Sequence, residues 1–379
     1  MKTKILHLIT RLAVGGAQDN TFISVEKGDR SRFSIHLASH PEGIWRDRAN
    51  QVADVFHPIP HLVNPVNPVT DLQALLEIIS LLRRENFALI HTHSSKAGIL
   101  GRIAARIVGV PVIIHTIHGF SFHDFMPFWQ RQLYINIEKT MKSYSDFIVT
   151  VSELNRQQGV ELGILDLERS QTVYSGIDFS KLDQPVNKEA MGQNLGIPPD
   201  YQVIVMVGRL DPQKAPQYLI DAFAQVLLSC PQTILLLVGE GEEQVNLEHQ
   251  VKTLGIAQKV KFLGFRTDIP AILQTADIFA LSSLWEGLGR AMTEAMLLGK
   301  PVVVPEIYGI PEIVHHQKTG LLFPPKDVNQ LAQHLIYLLE NPPLAKQLGD
   351  NAQKLTRELF DAKIMVKQLE DIYLKLLDE

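Results

Sequence analysis

Short apolar runs, each closed by a loop and followed by a longer amphipathic stretch, recur along the whole chain, and this alternation constrains the fold more than any other feature. It is the signature of βα units wound around a parallel sheet. In the first half the expected strands are Ile5–Thr10, Ser34–Ala38, Ala88–Thr92, Val112–Thr116 and Phe147–Val151. In the second they are Val203–Gly208, Thr233–Val238, Lys261–Leu263, Ile278–Leu281 and Pro301–Val304. Between the two sets, Asp183-Gln184-Pro185-Val186-Asn187-Lys188 has a proline, polar residues and no apolar period, so the boundary is expected there, with one domain over 1–183 and the other over 184–360. A chain of 379 residues with 45% hydrophobic content can bury two such cores. Two doubly wound α/β domains would put the carboxyl ends of both sheets along a central cleft, where a ligand is expected.

Composition removes several function classes. With 36 Lys+Arg against 41 Asp+Glu the net charge is −5, and nothing in that balance points to a nucleic acid or other polyanion as partner. The one cysteine, Cys230, rules out a disulfide framework and a Cys-based zinc site, and fits a reducing, cytoplasmic setting. Arg11 interrupts the apolar start Ile5–Ile9 and no small-residue cleavage site follows, so no signal peptide is expected. No run of 18 apolar residues occurs, so no spanning helix is expected, and peripheral membrane contact stays open.

Four stretches carry chemistry. After the first strand comes Gly15-Gly16-Ala17-Gln18, where paired glycines let a backbone approach a bulky or anionic ligand at a helix start, or simply make the turn. It is neither a Gly-x-Gly-x-x-Gly fingerprint nor a Walker loop. After Val203–Val207 comes Gly208-Arg209-Leu210-Asp211-Pro212-Gln213-Lys214, whose two cations suit a diphosphate clamp as well as they suit a solvated loop. Glu286-Gly287-Leu288-Gly289-Arg290-Ala291-Met292-Thr293-Glu294 follows Ile278–Leu281. Its two carboxylates on one helix would stand about 12 Å apart, too far for a glycosidase pair, and suit hydrogen bonds to sugar hydroxyls or plain solvation. Ten of the 14 histidines lie in the first half, and His91 and His93 share one strand face. No Asp or Glu accompanies His91, His93, His115 and His118 at metal-ligand spacing, so these strand-end histidines are expected as hydrogen-bonded neighbours of a substrate or as buried groups rather than as a metal site. Finally, Phe120, Phe122, Phe125, Phe128 and Trp129 crowd one stretch, either as a hydrophobic cover or as an acceptor-side platform, with Lys96, Arg102 and Arg106 on the preceding helical segment as attraction for anionic lipid or as a solvated face.

The ordered set Gly15–Gln18, His91–Gly98, Thr116–Phe120, Ser152-Glu153, Ser175–Asp178, Gly208–Leu210 with Lys214, and Glu286 with Glu294 resembles glycosyltransferase family 4 over nearly the whole chain. The His91–Gly98 and Thr116–Phe122 stretches are similar to those of bacterial enzymes of surface-polysaccharide assembly. The resemblance implies a GT-B fold of two Rossmann-like domains facing a central cleft, with the last helix, about 361–379, packed back on the first domain. It implies a retaining transfer from a nucleotide-diphosphate sugar, uridine being the default base, to a saccharide or lipid-linked acceptor, without metal or other cofactor. Arg209 and Lys214 would hold the diphosphate, Glu294 the ribose, and Glu286 with Gly287, Leu288 and Gly289 the donor sugar. Gly15 and Gly16 would lie near the phosphates, His118 at the sugar, and Gly309-Ile310-Pro311-Glu312 along it; Phe120, Phe122, Trp129 and Lys96 would be acceptor-side. No Asp-x-Asp motif is present to hold a divalent ion, a role the two cations would take. Tyr308-Gly309 replaces the usual glycine pair, Ala215 a common glycine and Gln18 a common acid. The implied location is cytoplasmic, with peripheral attachment to the inner face of the membrane. A sugar-nucleotide 2-epimerase shares the architecture, as would a sugar-nucleotide-binding protein without turnover; the two glutamates favour transfer.

Overall fold

Seven parallel strands build the first sheet: β1 (Thr3–Leu8), β2 (Phe33–Ser39), β3 (Val55–Pro58), β4 (Leu89–His93), β5 (Val112–Ile117), β6 (Phe147–Thr150) and β7 (Ser170–Thr172), in the order β3-β2-β1-β4-β5-β6-β7. Six more build the second: β8 (Gln202–Val207), β9 (Thr233–Val238), β10 (Val260–Phe262), β11 (Ile278–Ala280), β12 (Val302–Pro305) and β13 (Leu321–Phe323), in the order β10-β9-β8-β11-β12-β13. Both orders reverse beside the first strand of their sheet, the switch point at which doubly wound folds bind ligands. The computed structural model describes residues 2–378. All ten expected strands are present, and three more, β3, β7 and β13, lie at sheet edges. Each has only three or four residues and half its backbone unpaired, too little for an apolar period to announce it.

The chain forms two compact units, one running to Asp178 and resuming at Phe360, the other Phe179–Leu359. The division thus falls ahead of the polar stretch 183–188. That stretch is tied into the second unit: Gln274 Nε2 donates to the carbonyls of Leu182 and Gln184, and Arg357 pairs with Asp183.

In the first unit the sheet is buried on both faces. Ile5, Phe33, Ile35, Leu89, Val112 and Ile114 face the helix Gly16–Lys27 and the final helix Ala362–Asp378, which contributes Met365, Val366, Leu369, Ile372 and Tyr373. Leu6, Leu8, Ile90 and Ile113 face the helices Pro68–Glu85 and Ser95–Val108. Asn67 caps the former by accepting from Val69 and Thr70 N–H, with Pro68 as first helical residue and Asn86 left-handed at the exit, so that helix is punctuated at both ends. In the second unit Val203–Met206, Leu235–Val238 and Val302–Val304 of the sheet are buried, as are Leu219 and Phe223 of the helix Pro216–Ser229 and Leu331 and Leu335 of the helix Val328–Glu340. Among the described residues no helix is long and apolar enough to cross a membrane.

Candidate active site

The loops after β8 and β11 lie at the switch point of the second sheet, because these two strands are neighbours there. Gly208 follows β8 and the side chain of Lys214 runs across it: a Cβ at Gly208 would meet the Lys214 chain at 3.2 Å. The loop closes on itself. Asp211 Oδ1 accepts from Lys214 N at 3.0 Å, and its carbonyl accepts from Ala215 N at 2.9 Å. Ala215 is left-handed (φ 45°) and precedes the helix Pro216–Ser229, a conformation natural to glycine that costs an alanine about 1 kcal/mol.

From the β11 side, Leu284 N donates to the carbonyl of Gln213 at 2.8 Å and Gln213 Nε2 to that of Trp285 at 3.0 Å, stitching the two loops together. Ser282 Oγ donates to the carbonyl of Ala215 at 2.9 Å. These contacts bring Lys214 Nζ onto Glu286 Oε1 in an ion pair, with Ser283 Oγ donating to the same oxygen at 2.8 Å. The Glu286 side chain is only 7% exposed and that of Lys214 16%. Arg209, on the same loop, is 64% exposed; its guanidinium meets Gln213 Oε1 at 2.8 Å and Asp211 Oδ2 at 3.0 Å. Gly289, left-handed at φ 90°, opens the helix Arg290–Leu297, with Leu288 buried before it. One turn on, Glu294 accepts from Arg290 Nε at 3.1 Å. The chain thus gathers Lys214 and Glu286, keeps Arg209 at the loop surface and holds Glu294 through Arg290. Sequence reasoning overlooked Ser283, Gln213 and Arg290. Only Arg290 carried a signal, its i,i+4 spacing to Glu294.

On the first unit Gly15 and Gly16 lie where β1 passes into the helix Gly16–Lys27, and β4 leads to Ser94, whose Oγ lies 2.7 Å from Thr10 Oγ1. The parallel register pairs His7 with His91 and His93 with Thr116, so with the period of two all four point to one face, and His118 follows two residues after Thr116. On that face His7 Nδ1 lies 3.0 Å from His93 Nε2, and His93 Nδ1 lies 3.2 Å from His118 Nε2. His91 Nε2 meets Thr116 Oγ1 at 2.6 Å, and its Nδ1 meets Tyr373 Oη of the final helix at 2.5 Å. On the opposite face His115 bonds Thr92 Oγ1 at 2.9 Å and fills the space over Gly98. Burial drives every one of these imidazoles towards the neutral form, His7 and His118 to about 3 and His91, His93 and His115 well below the usual value. Nitrogens of His7, His91 and His93 come within 4.8 Å of one another, but those of His91 and His93 are all engaged by neighbouring rings and hydroxyls.

The acceptor-side residues are corrected by their surroundings. Phe122 is buried and stacks on Phe120 at 4.8 Å within a core with Ile117, Ile135 and Leu165, so it presents no platform. Lys96 is held by Asp71 at 2.6 Å and the carbonyl of Pro65, Arg102 is buried beside Glu138, and Arg106 pairs with Asp146, so none of the three offers a free cation to lipid. Exposure falls instead on Phe128 (76%) and Trp129 (69%), which begin the helix Phe128–Lys142, with Phe125 ahead of them.

Residues 30–181 match the model of the Glycosyltransferase Family 4 domain, and residues 187–355 that of Glycosyl transferases group 1. The chain belongs to glycosyltransferase family 4. This glycosyltransferase is 28% identical, over 99% of its length and 97% of the relative's, to the UDP-Gal:alpha-D-GlcNAc-diphosphoundecaprenol alpha-1,3-galactosyltransferase of Escherichia coli. To the capsular polysaccharide biosynthesis glycosyltransferase CapM of Staphylococcus aureus it is 25% identical over 99% of its length and 98% of the relative's. Its fold superposes with a TM-score of 0.87 on Anabaena Alr3699/HepE, crystallised in complex with UDP and glucose, at 25% identity over 98% of this chain and 100% of that one. The two-unit architecture is the GT-B fold.

Proposed function

We propose that this glycosyltransferase moves a sugar, with retention and without metal, from a nucleotide-diphosphate sugar, a UDP-sugar, to a saccharide or lipid-linked saccharide in polysaccharide assembly at the cytoplasmic face of a membrane. The observation that carries the reading is the pairing of Lys214 with Glu286 at the switch point of the second sheet, with Arg209 on the same loop. In the absence of donor each group neutralises the other. When a donor binds, the ammonium turns to the diphosphate and Glu286 accepts from hydroxyls of the transferred sugar. Arg209, tethered only to its own loop, swings to the phosphates, and Glu294, aligned by Arg290, accepts from the ribose hydroxyls. Gly15 and Gly16 let backbone approach the phosphates, Gly287, Leu288 and Gly289 shape the wall against the sugar, and His118 touches the sugar itself.

Chemistry follows from charge. The bond from C1 to the phosphate oxygen breaks, negative charge grows on the diphosphate, and the sugar turns oxocarbenium-like; Lys214 and Arg209 stabilise the leaving group, as a metal ion does elsewhere. The acceptor oxygen bonds to C1 on the same face, and its proton passes to the departing phosphate, so no carboxylate nucleophile is required. A lipid-linked acceptor is supported by the diphosphoundecaprenol substrate in the name of the E. coli relative and by the exposed Phe128 and Trp129.

The test is a donor panel of UDP-, GDP- and ADP-sugars with EDTA present, following released nucleotide and the fate of the sugar. Released UDP, even by slow hydrolysis, that disappears in Arg209→Ala and Lys214→Ala supports the proposal. Activity that vanishes with EDTA and returns with a divalent ion refutes metal independence, and an altered sugar still attached to its nucleotide makes the protein an epimerase.

A further inference from the structure

His118 stands at the end of a row of three imidazoles, His7, His93 and His118, each joined to the next through one nitrogen of each ring. A neutral imidazole has one N–H and one lone pair, so the row can hold its protons in only two ways. Either every N–H points from His118 inward, leaving His118 Nδ1 bare, or every N–H points outward, leaving Nδ1 protonated. Burial keeps all three rings neutral across the working range, so a charged form does not blur the choice.

The inner end decides between them. His7 lines a cavity of about 10 Å³, room for one water, together with Ile5, Ser24, Phe33, Glu370 and Tyr373. Ser24 Oγ gives its proton to the carbonyl of Asn20, and Glu370, whose carboxyl burial pushes above its usual range, takes the N–H of Asp29 at 2.6 Å and in its ionised form only accepts. This wall calls for a donor from His7. With His7 protonated on Nε2, its Nδ1 accepts from His93 Nε2–H, and His93 Nδ1 accepts from His118 Nε2–H.

We propose that His93 and His7 are positioning residues that hold His118 as a single tautomer, protonated on Nε2, so that its Nδ1 offers a lone pair to a hydroxyl of the transferred sugar. This rests on the assignment of His118 to that sugar. The consequence is a specificity device: the site accepts a hydrogen bond at this point and rejects a sugar whose hydroxyl there is replaced by a group without a proton.

The tautomer is read directly in the full-length protein labelled with ¹⁵N-histidine, His118 being assigned by comparison with His118→Gln. The expected spectrum has His118 protonated on Nε2. In His93→Leu, which removes both links, His118 should show averaged tautomers, with kcat down about tenfold at unchanged donor KM, as loss of one neutral hydrogen bond predicts. His93→Asn, which keeps a polar atom near the position of Nδ1, should recover part of both signals. A wild-type His118 protonated on Nδ1, or an unchanged spectrum in His93→Leu, overturns the proposal, and the wild-type spectrum decides even if the variants fold poorly. Full transfer activity in His118→Ala would remove the assignment to the sugar while the spectra still report on the row, so the two failures are distinguishable.

Discussion

If Lys214 and Glu286 are two substrate groups parked on each other, removing either one should have opposite effects on nucleotide binding. In Lys214→Ala the diphosphate loses a charge-assisted hydrogen bond, worth about 1.5–3 kcal/mol, so UDP affinity should fall about 10- to 150-fold by calorimetry. In Glu286→Gln the competing carboxylate charge is gone and Lys214 is released towards the phosphates, so UDP should bind as tightly as before or a few-fold tighter. Turnover should nevertheless drop about a hundredfold, since the sugar loses a partner that matters most as charge develops. Stability without ligand separates the pair's other role. Lys214→Ala leaves a carboxylate 7% exposed that has lost its ammonium and keeps Ser283 Oγ as donor, a cost of about 2 kcal/mol, or about 4–8 °C in the melting of the second unit; adding Glu286→Gln to it should restore most of that loss. Should Glu286→Gln weaken UDP binding as severely as Lys214→Ala does, the ion pair is loop architecture and the division of labour argued here is wrong.

Four further outcomes are expected. Tyr373→Phe strips His91 Nδ1 of its partner in a buried site and should cost about 1–2 kcal/mol, read by chemical denaturation; no change would mean that the contact is idle. Stability should fall as pH drops below about 6.5, because the unfolded histidines then take up protons that the folded ones refuse. His7, held at about 3 in the fold, contributes about 2 kcal/mol of that loss by pH 5, with the other buried imidazoles adding in the same direction, so a melting temperature flat from pH 7.5 to 5 would contradict the burial. Ala215→Gly relieves a left-handed alanine and should raise stability by about 0.5–1 kcal/mol, whereas a loss would show that its buried methyl matters more than its backbone. Replacing Phe128 and Trp129 together by serine should reduce binding to anionic lipid vesicles with the melting temperature unchanged; undiminished binding would remove the aromatic pair from the acceptor side.

The parallel-sheet architecture was legible because buried strands such as β8 and β9 are almost wholly apolar, and so stand out from the amphipathic helices between them. The sugar-nucleotide loops were legible because their residues are close in sequence: Arg209 to Lys214, and Glu286 to Glu294. What joins those loops was not. Lys214 meets Glu286 only because β8 and β11 are neighbours, a pairing set by chain topology rather than by any local pattern. The histidines show the same limit. His91 and His93 could be placed on one strand face from their spacing, but the approach of His7 depends on the β1–β4 register and that of Tyr373 on a helix 282 residues further along. Within the aromatic stretch the two readings divide by residue: Phe122 turns inward to complete a core, as a hydrophobic cover would, and Trp129 stays outside.

The return of the final helix to the first unit sets an order for folding on the ribosome. Strands β1 to β7 emerge before the second unit, yet the face of their sheet that carries His91 remains without Met365, Leu369, Ile372 and Tyr373 until the helix Ala362–Asp378 has left the tunnel. The second unit, Phe179–Leu359, is contiguous and has every partner it needs by then. The unit begun before Phe179–Leu359 is therefore completed after it, and until the helix Ala362–Asp378 docks the nascent chain exposes an apolar sheet face that a chaperone, or another copy of the chain, can reach.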